Sequence, residues 1–452
     1  MHREFEQHFR KLFAEDYERF IEAINERPKV SIRLNSNKLK ESHFQDSIDI
    51  PWAKDAYFLP ERPKFYADPL HHGGAYYVQE SSSMFFGNFI QENKPMLALD
   101  LCGSPGGKSS LILNKLNAES LLVSNELDIN RNKVLVENLN RWGNTNVVVT
   151  NAASHQFLPL KNRFDLVVVD APCSGEGMFR KDKVALEQWS PNFVKSCAAI
   201  QSEIIDDAYK LTAPGGMLIY STCTFEPQEN EHQIKRLVEK FDLEPVSTVI
   251  DKNWGVVEKQ IETSKGRFPC YYFHLHLAQG EGQFVCVMRK TAYESETASV
   301  RVKKPIQNLS KANKDVIENF VEIDQTYALT EINGVVHSYP KKYHSFIEQL
   351  RSLAPLWKLG TRIGEVSKKN FKPNHELAMS QLSKNFKNSF DLNYDEAIDF
   401  LKRRPLKVKE AYKSGWGLAK FKGISLGWAK NVGNRLNNNF PKELALRKEI
   451  NN

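Results

Sequence analysis

Apolar positions in this chain gather into runs separated by polar, helix-length stretches. Five runs stand out: MLALDLC (96–102), SLLVSNE (120–126), NVVVT (146–150), FDLVVVD (164–170) and GMLIYSTC (216–223). A strand apolar at nearly every position is covered on both faces. The alternation therefore predicts a doubly wound, Rossmann-like α/β core with a parallel sheet. Two later runs, CYYFHLHL (270–277) and QFVCVMR (283–289), are joined by Gly-rich AQGEG and predict a hairpin that ends the sheet. Upstream, helices are predicted to about Asn25 and a strand at Val30–Leu34, followed by an irregular stretch over 35–75. Downstream, the polar segment 290–310 lacks a clear period and predicts a linker. The last segment, SGWGLAKFKGISLGWAKNVGNRL, alternates apolar residues with Gly and Lys and predicts short strands of a small β-barrel. The expected division is an accessory region over 1–75, a core over 76–290, a linker over 291–310 and a separate domain over 311–452.

Charge sharpens that division. Residues 301–452 hold 28 Lys and Arg against 15 Asp and Glu, a net of +13, whereas the first 300 residues carry 34 against 40, a net of −6. A basic module on a slightly acidic one points to a polyanion, with a solvated basic surface as the bland alternative. No apolar run approaches the ~18 residues of a membrane span. The N-terminus, MHREFEQHFRKLF, lacks the apolar core of a signal peptide, so a cytoplasmic protein away from membranes is expected. The six cysteines are scattered, with no CxxC pair and no zinc-like spacing, which predicts free thiols and no metal site.

Two places carry candidate chemistry. The first is the turn Cys102, Gly103, Ser104, Pro105, Gly106, Gly107, Lys108, which joins a buried strand to a helix. Glycines let the backbone approach a ligand, and a helix N-terminus offers free N–H groups. Glu126 closes the next strand 19 residues after Gly107, where an acid would bind ribose hydroxyls; Asp128 and Arg131 follow it. The turn is neither GxGxxG nor GxxxxGK[ST], which weakens dinucleotide and ATPase readings.

The second place is a pair of strand ends: Asp170, Pro172 and Cys173 after the fourth strand, Thr222 and Cys223 after the fifth. In a doubly wound sheet ligands bind beyond the carboxyl ends of the strands, so both thiols are expected to face one cleft. Two buried structural thiols are the alternative. Such a pairing suits an aromatic carbon that is a poor nucleophile, such as carbon 5 of cytosine. A thiolate added at carbon 6 makes carbon 5 enamine-like, and a second thiol can assist breakdown of the adduct. Asp170 is then placed to hydrogen-bond the ring at N3.

At these residues the chain resembles the Nop/Sun (NSUN-type) RNA cytosine-5 methyltransferases over nearly its whole length. The family loop, roughly DxCAAPGGK, resembles Asp100–Lys108, with Gly103-Ser104 in place of two alanines. DAPCSG matches Asp170–Gly175, TC matches Thr222-Cys223, and YYVQESSSM (76–84) is similar to the segment before the loop. The resemblance implies a Rossmann-like methyltransferase domain binding S-adenosylmethionine, with Cys223 as nucleophile and Cys173 promoting release. It assigns Glu126 to the cofactor and leaves Asn151, in TNAAS, as a candidate for the adenine edge. MFRKD (178–182), KLGTRIGEVSKKNFKPNHELAM (358–379) and the tail are similar to the bacterial RsmF-type branch, which modifies 16S ribosomal RNA in the small subunit and has a PUA-like C-terminal barrel. An RNA partner is implied, with 1–75 an accessory RNA-binding region. Trp416, Phe421 and Trp428 are either base-stacking platforms or barrel core. Transfer RNA as substrate, or a non-catalytic RNA-binding role, are the alternatives.

Overall fold

The computed structural model describes residues 3–90, 94–292, 300–302, 305–367 and 370–448. The five apolar runs form the parallel strands Leu97–Asp100, Leu121–Asn125, Val147–Thr150, Phe164–Asp170 and Thr212–Thr222. Leu97–Asp100 lies at the centre, with Leu121–Asn125 and then Val147–Thr150 on one side and Phe164–Asp170 and then Thr212–Thr222 on the other. Strand order thus reverses beside Leu97–Asp100, and sheets of this kind bind ligands beyond the carboxyl ends at such a switch point.

Alternate residues of each strand feed opposite faces. Leu97, Leu99, Val167 and Tyr220 pack with Ile205 and Ala208 of helix Pro191–Leu211 and with Leu237 of helix Glu231–Lys240. Ala98, Leu122, Val149 and Val168 pack with Ile112 of helix Gly107–Lys115 and Leu139 of helix Ile129–Trp142. Both faces are covered, which is why the strands read as unbroken apolar runs.

The sheet extends further than expected at both edges. Gly266–Phe273 and Gln283–Lys290 do pair, Cys270 opposite Cys286, but the sheet continues into Val256–Thr263. Glu258, Lys259 and Gln260 of that strand are exposed, which removed the apolar signal. At the other edge Leu356–Leu359, from the region expected to stand apart, pairs antiparallel with Val147–Thr150. Within the expected linker, residues 293–299 and 303–304 lie outside the described residues, but Ile306 is buried and its N–H donates to Glu348 at 2.8 Å.

Residues 35–75 are not irregular throughout. Ile48–Asp49 and Ala56–Leu59 join the expected strand Val30–Leu34 and Tyr76–Val78 in a four-stranded antiparallel sheet, and these three added strands, of two to four residues, are too short to show a period. Among the described residues the C-terminal region holds two four-stranded sheets. Tyr327–Ile332, Val335–Pro340, Thr361–Ser367 and Asn370–Pro373 form the first, which alternation did not reveal. The Gly- and Lys-rich tail supplies three strands of the second, which runs from Ser389 to Asn438. Trp428 and Phe421 are buried there, and the Trp428 indole donates to the Asn374 carbonyl at 2.8 Å, so both are core; Trp416 is half-buried beneath Lys430. The N-terminal helices Arg3–Phe13 and Tyr17–Asn25 pack Phe5, Phe9 and Phe20 on Phe179, Trp189 and Phe225, next to both cysteine-bearing loops. Among the described residues no helix is long and apolar enough to cross a membrane.

Candidate active site

Two loops and one turn meet at the carboxyl ends of the parallel strands. The turn after Leu97–Asp100 is drawn tightly against the second strand, where the Gly103 N–H donates to the Asn125 carbonyl at 2.7 Å. A Cβ on Gly103 would sit 2.3 Å from Ser124 Oγ, so a side chain does not fit. Gly106, at φ 108°, takes the left-handed conformation that starts helix Gly107–Lys115. Ser104 Oγ donates to the Arg131 carbonyl at 2.9 Å, and Asn138 fixes the Pro105 carbonyl at 2.7 Å. Beneath the turn, burial pushes the Asp100 carboxyl up to about 7, while its Oδ2 accepts the Ser109 hydroxyl at 2.6 Å. Burial, followed by the Asp100, Asp170 and Glu126 carboxylates, pushes the Cys102 thiol up, so it stays neutral.

Glu126 is buried at the end of the second strand. Its Oε1 accepts the Asp128 N–H at 3.0 Å; its Oε2 lies 3.3 Å from Arg131 Nη2 and has no hydrogen-bond partner. A buried carboxylate oxygen in that condition is an acceptor awaiting a donor. Asn151 donates its amide to the Glu126 and Leu127 carbonyls, both at 2.7 Å, and thereby clamps this loop.

The cysteine-bearing strand ends lie side by side, Asp170 opposite Ser221. Cys173 Sγ and Cys223 Sγ are 3.2 Å apart, and the Cys223 N–H donates to Cys173 Sγ at 3.3 Å. Asp170 accepts the Ser221 hydroxyl at 2.9 Å on Oδ1 and pairs with Lys108 Nζ at 2.9 Å on Oδ2. Burial works against the Lys108 charge, but Asp170, Cys223 and Glu80 together hold its pKa above the ordinary lysine value. The Cys173 thiol is pushed well up, first by its bond to Cys223, then by burial, then by Glu229 and Glu176. Cys173, Cys223, Asp170 and Lys108 are thus brought together; Arg131 links Glu126, at 3.3 Å, to the Ser104 carbonyl of the turn, also at 3.3 Å. Sequence reasoning passed over Ser221, Ser174 and Glu229, although the acid-rich EPQENE that follows a buried strand was a visible signal.

The 16S rRNA methyltransferase RsmB/F family matches residues 89–285, the N-terminal domain of 16S rRNA methyltransferase RsmF matches 1–81, and the methyltransferase RsmF PUA domain matches 387–446. Over 95% of this chain and 92% of its own length, a relative from Enterobacter sp. (strain 638), ribosomal RNA small subunit methyltransferase F, is 30% identical. The chain belongs to the RsmF family. A second family relative, from Klebsiella pneumoniae (strain 342), is 29% identical over the same shares and carries the same name. Among solved structures, a methyltransferase homolog protein from Pyrococcus horikoshii superposes at a TM-score of 0.52 with 25% identity, over 62% of this chain and 93% of that one. NSun6 from the same organism, solved with SFG, shares the fold at a TM-score of 0.53 and 18% identity, over 65% and 99%.

RsmF-family proteins are S-adenosylmethionine-dependent methyltransferases. The site fits that cofactor on its own geometry: the turn is drawn close against the second strand with no side chain at Gly103, and the buried Glu126 at the end of that strand keeps a carboxylate oxygen with no hydrogen-bond partner.

Proposed function

We propose that this chain methylates carbon 5 of a cytosine in 16S ribosomal RNA through a covalent adduct on Cys223. The observation that carries this reading is the pair of thiols 3.2 Å apart at adjacent strand ends, beside the Lys108–Asp170 ion pair. The charges around the two sulfurs are unequal. Lys108 faces Cys223, whereas the bond to Cys223 and burial both push the Cys173 thiol up. A neighbouring ammonium favours a thiolate and burial opposes one. On this reading Cys223 is the nucleophile and Cys173 the thiol that keeps its proton.

The Gly103–Gly107 turn, Lys108, Glu126 and Arg131 would hold the cofactor, which when bound would supply a methyl group on a sulfonium and retain the sulfur as a neutral thioether once the methyl is transferred. The thiolate of Cys223 forms a bond to carbon 6, and electron density moves to carbon 5, which becomes nucleophilic enough to take that methyl. Asp170 orients the ring at N3, with Ser221 and Lys108 fixing its two oxygens. The carbon 5 proton then passes to solvent water, its electron pair re-forms the carbon 5–carbon 6 double bond, and the carbon 6–sulfur bond breaks to return the Cys223 thiolate. Cys173, in contact with that sulfur, serves this elimination. Asn151 is proposed at the adenine edge through its amide oxygen, since its amide nitrogen is taken by main-chain carbonyls. The ribosomal target is supported by the names of the relatives and by the basic C-terminal region. Bisulfite sequencing of 16S ribosomal RNA from cells with and without this protein tests the assignment. A protected cytosine that disappears with the gene is expected; an unchanged pattern rejects it.

A further inference from the structure

A group of buried carboxyls beneath the two thiols has no part in the steps above. Glu176, Glu226 and Glu229 are all buried, on the segments that carry Cys173 and Cys223. Burying a carboxyl is costly unless hydrogen bonds offset it, so the partners of each are informative. Glu226 meets His8 Nε2 at 2.6 Å, and Glu176 accepts the Trp189 indole N–H at 2.7 Å. Glu229 differs, because its contacts run to both thiol-bearing segments. Its carboxyl accepts the Ser174 N–H at 3.1 Å and the Gln201 amide at 2.6 Å, and also meets the Ser174 hydroxyl. The same Gln201 nitrogen donates to the Pro172 carbonyl at 2.9 Å. The Glu229 main-chain carbonyl accepts the Tyr220 hydroxyl at 2.6 Å. Next to the sulfur pair, Ser174 Oγ and Thr224 Oγ1 are 3.1 Å apart. Cys173–Cys223 and Ser174–Thr224 are therefore consecutive rungs between the two loops, and Glu229 braces one end.

We propose that Glu229 is a positioning residue, whose carboxyl locks the Pro172–Ser174 turn against the Thr222–Thr224 strand end and so sets the spacing and unequal reactivity of the two sulfurs. The proposal rests on the reading of those thiols as the reactive pair. At this separation, ionising one sulfur opposes ionising the other, so a shift of the turn alters both. An apolar side chain at 229 would leave the Ser174 N–H and one of the two Gln201 amide hydrogens unpaired in the interior, and the turn would loosen. Burial, then Glu176, push the Glu229 carboxyl up to about 8, so near neutral pH it braces the loop without placing a full charge beside Cys173. The titratable groups around it are Glu176, Cys173, Cys197 and Tyr220, with Glu226 and His8 behind.

The test is the initial rate of iodoacetamide alkylation at Cys173 and Cys223, resolved by peptide mass spectrometry. It uses the full chain without RNA, from about pH 6 to pH 9. In the unsubstituted protein Cys223 is expected to react about tenfold faster than Cys173 or more. Glu229→Ala should shrink that ratio to about threefold or less, while Glu229→Gln, of the same shape, restores most of it and flattens its change through about pH 8. Cofactor binding by calorimetry establishes that each variant is folded. Should Glu229→Ala not fold, Ser174→Ala and Gln201→Ala carry the test, each narrowing the ratio roughly threefold. An unchanged ratio in Glu229→Ala, or in both partner variants, overturns the proposal. Methylation of RNA is followed in the same samples. A narrowed ratio with no methylation by any form keeps the brace and removes the cytosine reading. Normal methylation with an unchanged ratio does the reverse.

Discussion

Cys223 and Cys173 differ little as side chains and much in their neighbours, and that difference predicts separable phenotypes. Cys223→Ala should give neither methylated product nor adduct. Cys173→Ala leaves addition possible and hinders breakdown, so a covalent protein–RNA complex should accumulate as a slow band on a denaturing gel; the double variant should lose it. A band in Cys223→Ala but not in Cys173→Ala would reverse the two roles. Glu126→Ala removes the orphaned acceptor at the cofactor turn and should weaken S-adenosylmethionine roughly 10–100-fold in calorimetry, with melting little changed. Glu176 makes a prediction about stability. Burial, then Glu226, push its carboxyl up to about 7, above its ordinary 4.5, so the folded state holds a proton that the unfolded state releases. Stability should therefore fall as pH rises from about 5 through 7, and Glu176→Gln should recover on the order of 3 kcal/mol at pH 8. A melting temperature equal in both proteins at pH 8 would contradict it. The two cysteines and Glu126 were legible because motif and strand end coincide. Glu176 and Glu229 were not, because an acidic residue in a polar run looks solvated until the chain is folded.

At the scale of elements, the cofactor turn explains its own departure from the family pattern. Where the family loop carries alanine, this chain has Gly103, and the space is taken by Ser124 Oγ and Ser109 Oγ. Gly103→Ala should cost about 1–3 kcal/mol by overpacking and weaken the cofactor. The pair Gly103→Ala with Ser124→Ala should regain most of both, read by thermal melting and calorimetry. If the single variant melts like the parent, the close approach is not real. The parallel strands were readable because burial on both faces leaves few polar positions, most of them at the strand ends. Val256–Thr263, half exposed, and the two- to four-residue strands of the N-terminal sheet lacked that signature, and only their partners make them strands.

For the whole molecule, the +13 of residues 301–452 predicts that RNA affinity resides largely there. Removing 387–452 should weaken RNA binding and flatten its dependence on salt, because fewer counterions are released. An unchanged salt slope would move the anchor elsewhere. A cut at 301 tests something different, because it also strips Leu356–Leu359 from the sheet and the buried Lys358–Glu376 ion pair from the region beside it. The charge asymmetry between the two parts of the chain was plain in the sequence. Their shared sheet was not, since pairing across some 200 residues leaves no local trace.

That shared sheet has a consequence for the order in which the polypeptide is made. Val147–Thr150 is an apolar edge until Leu356–Leu359 covers it, and the two are separated by more than 200 residues of synthesis. At roughly 5–20 residues per second, the nascent sheet stands open on that side for about 10–40 seconds. An uncovered valine-rich edge is a template for pairing with other chains. Ribosome-bound fragments ending before Leu356 should therefore need a chaperone to stay dispersed, and those reaching past Leu359 should not.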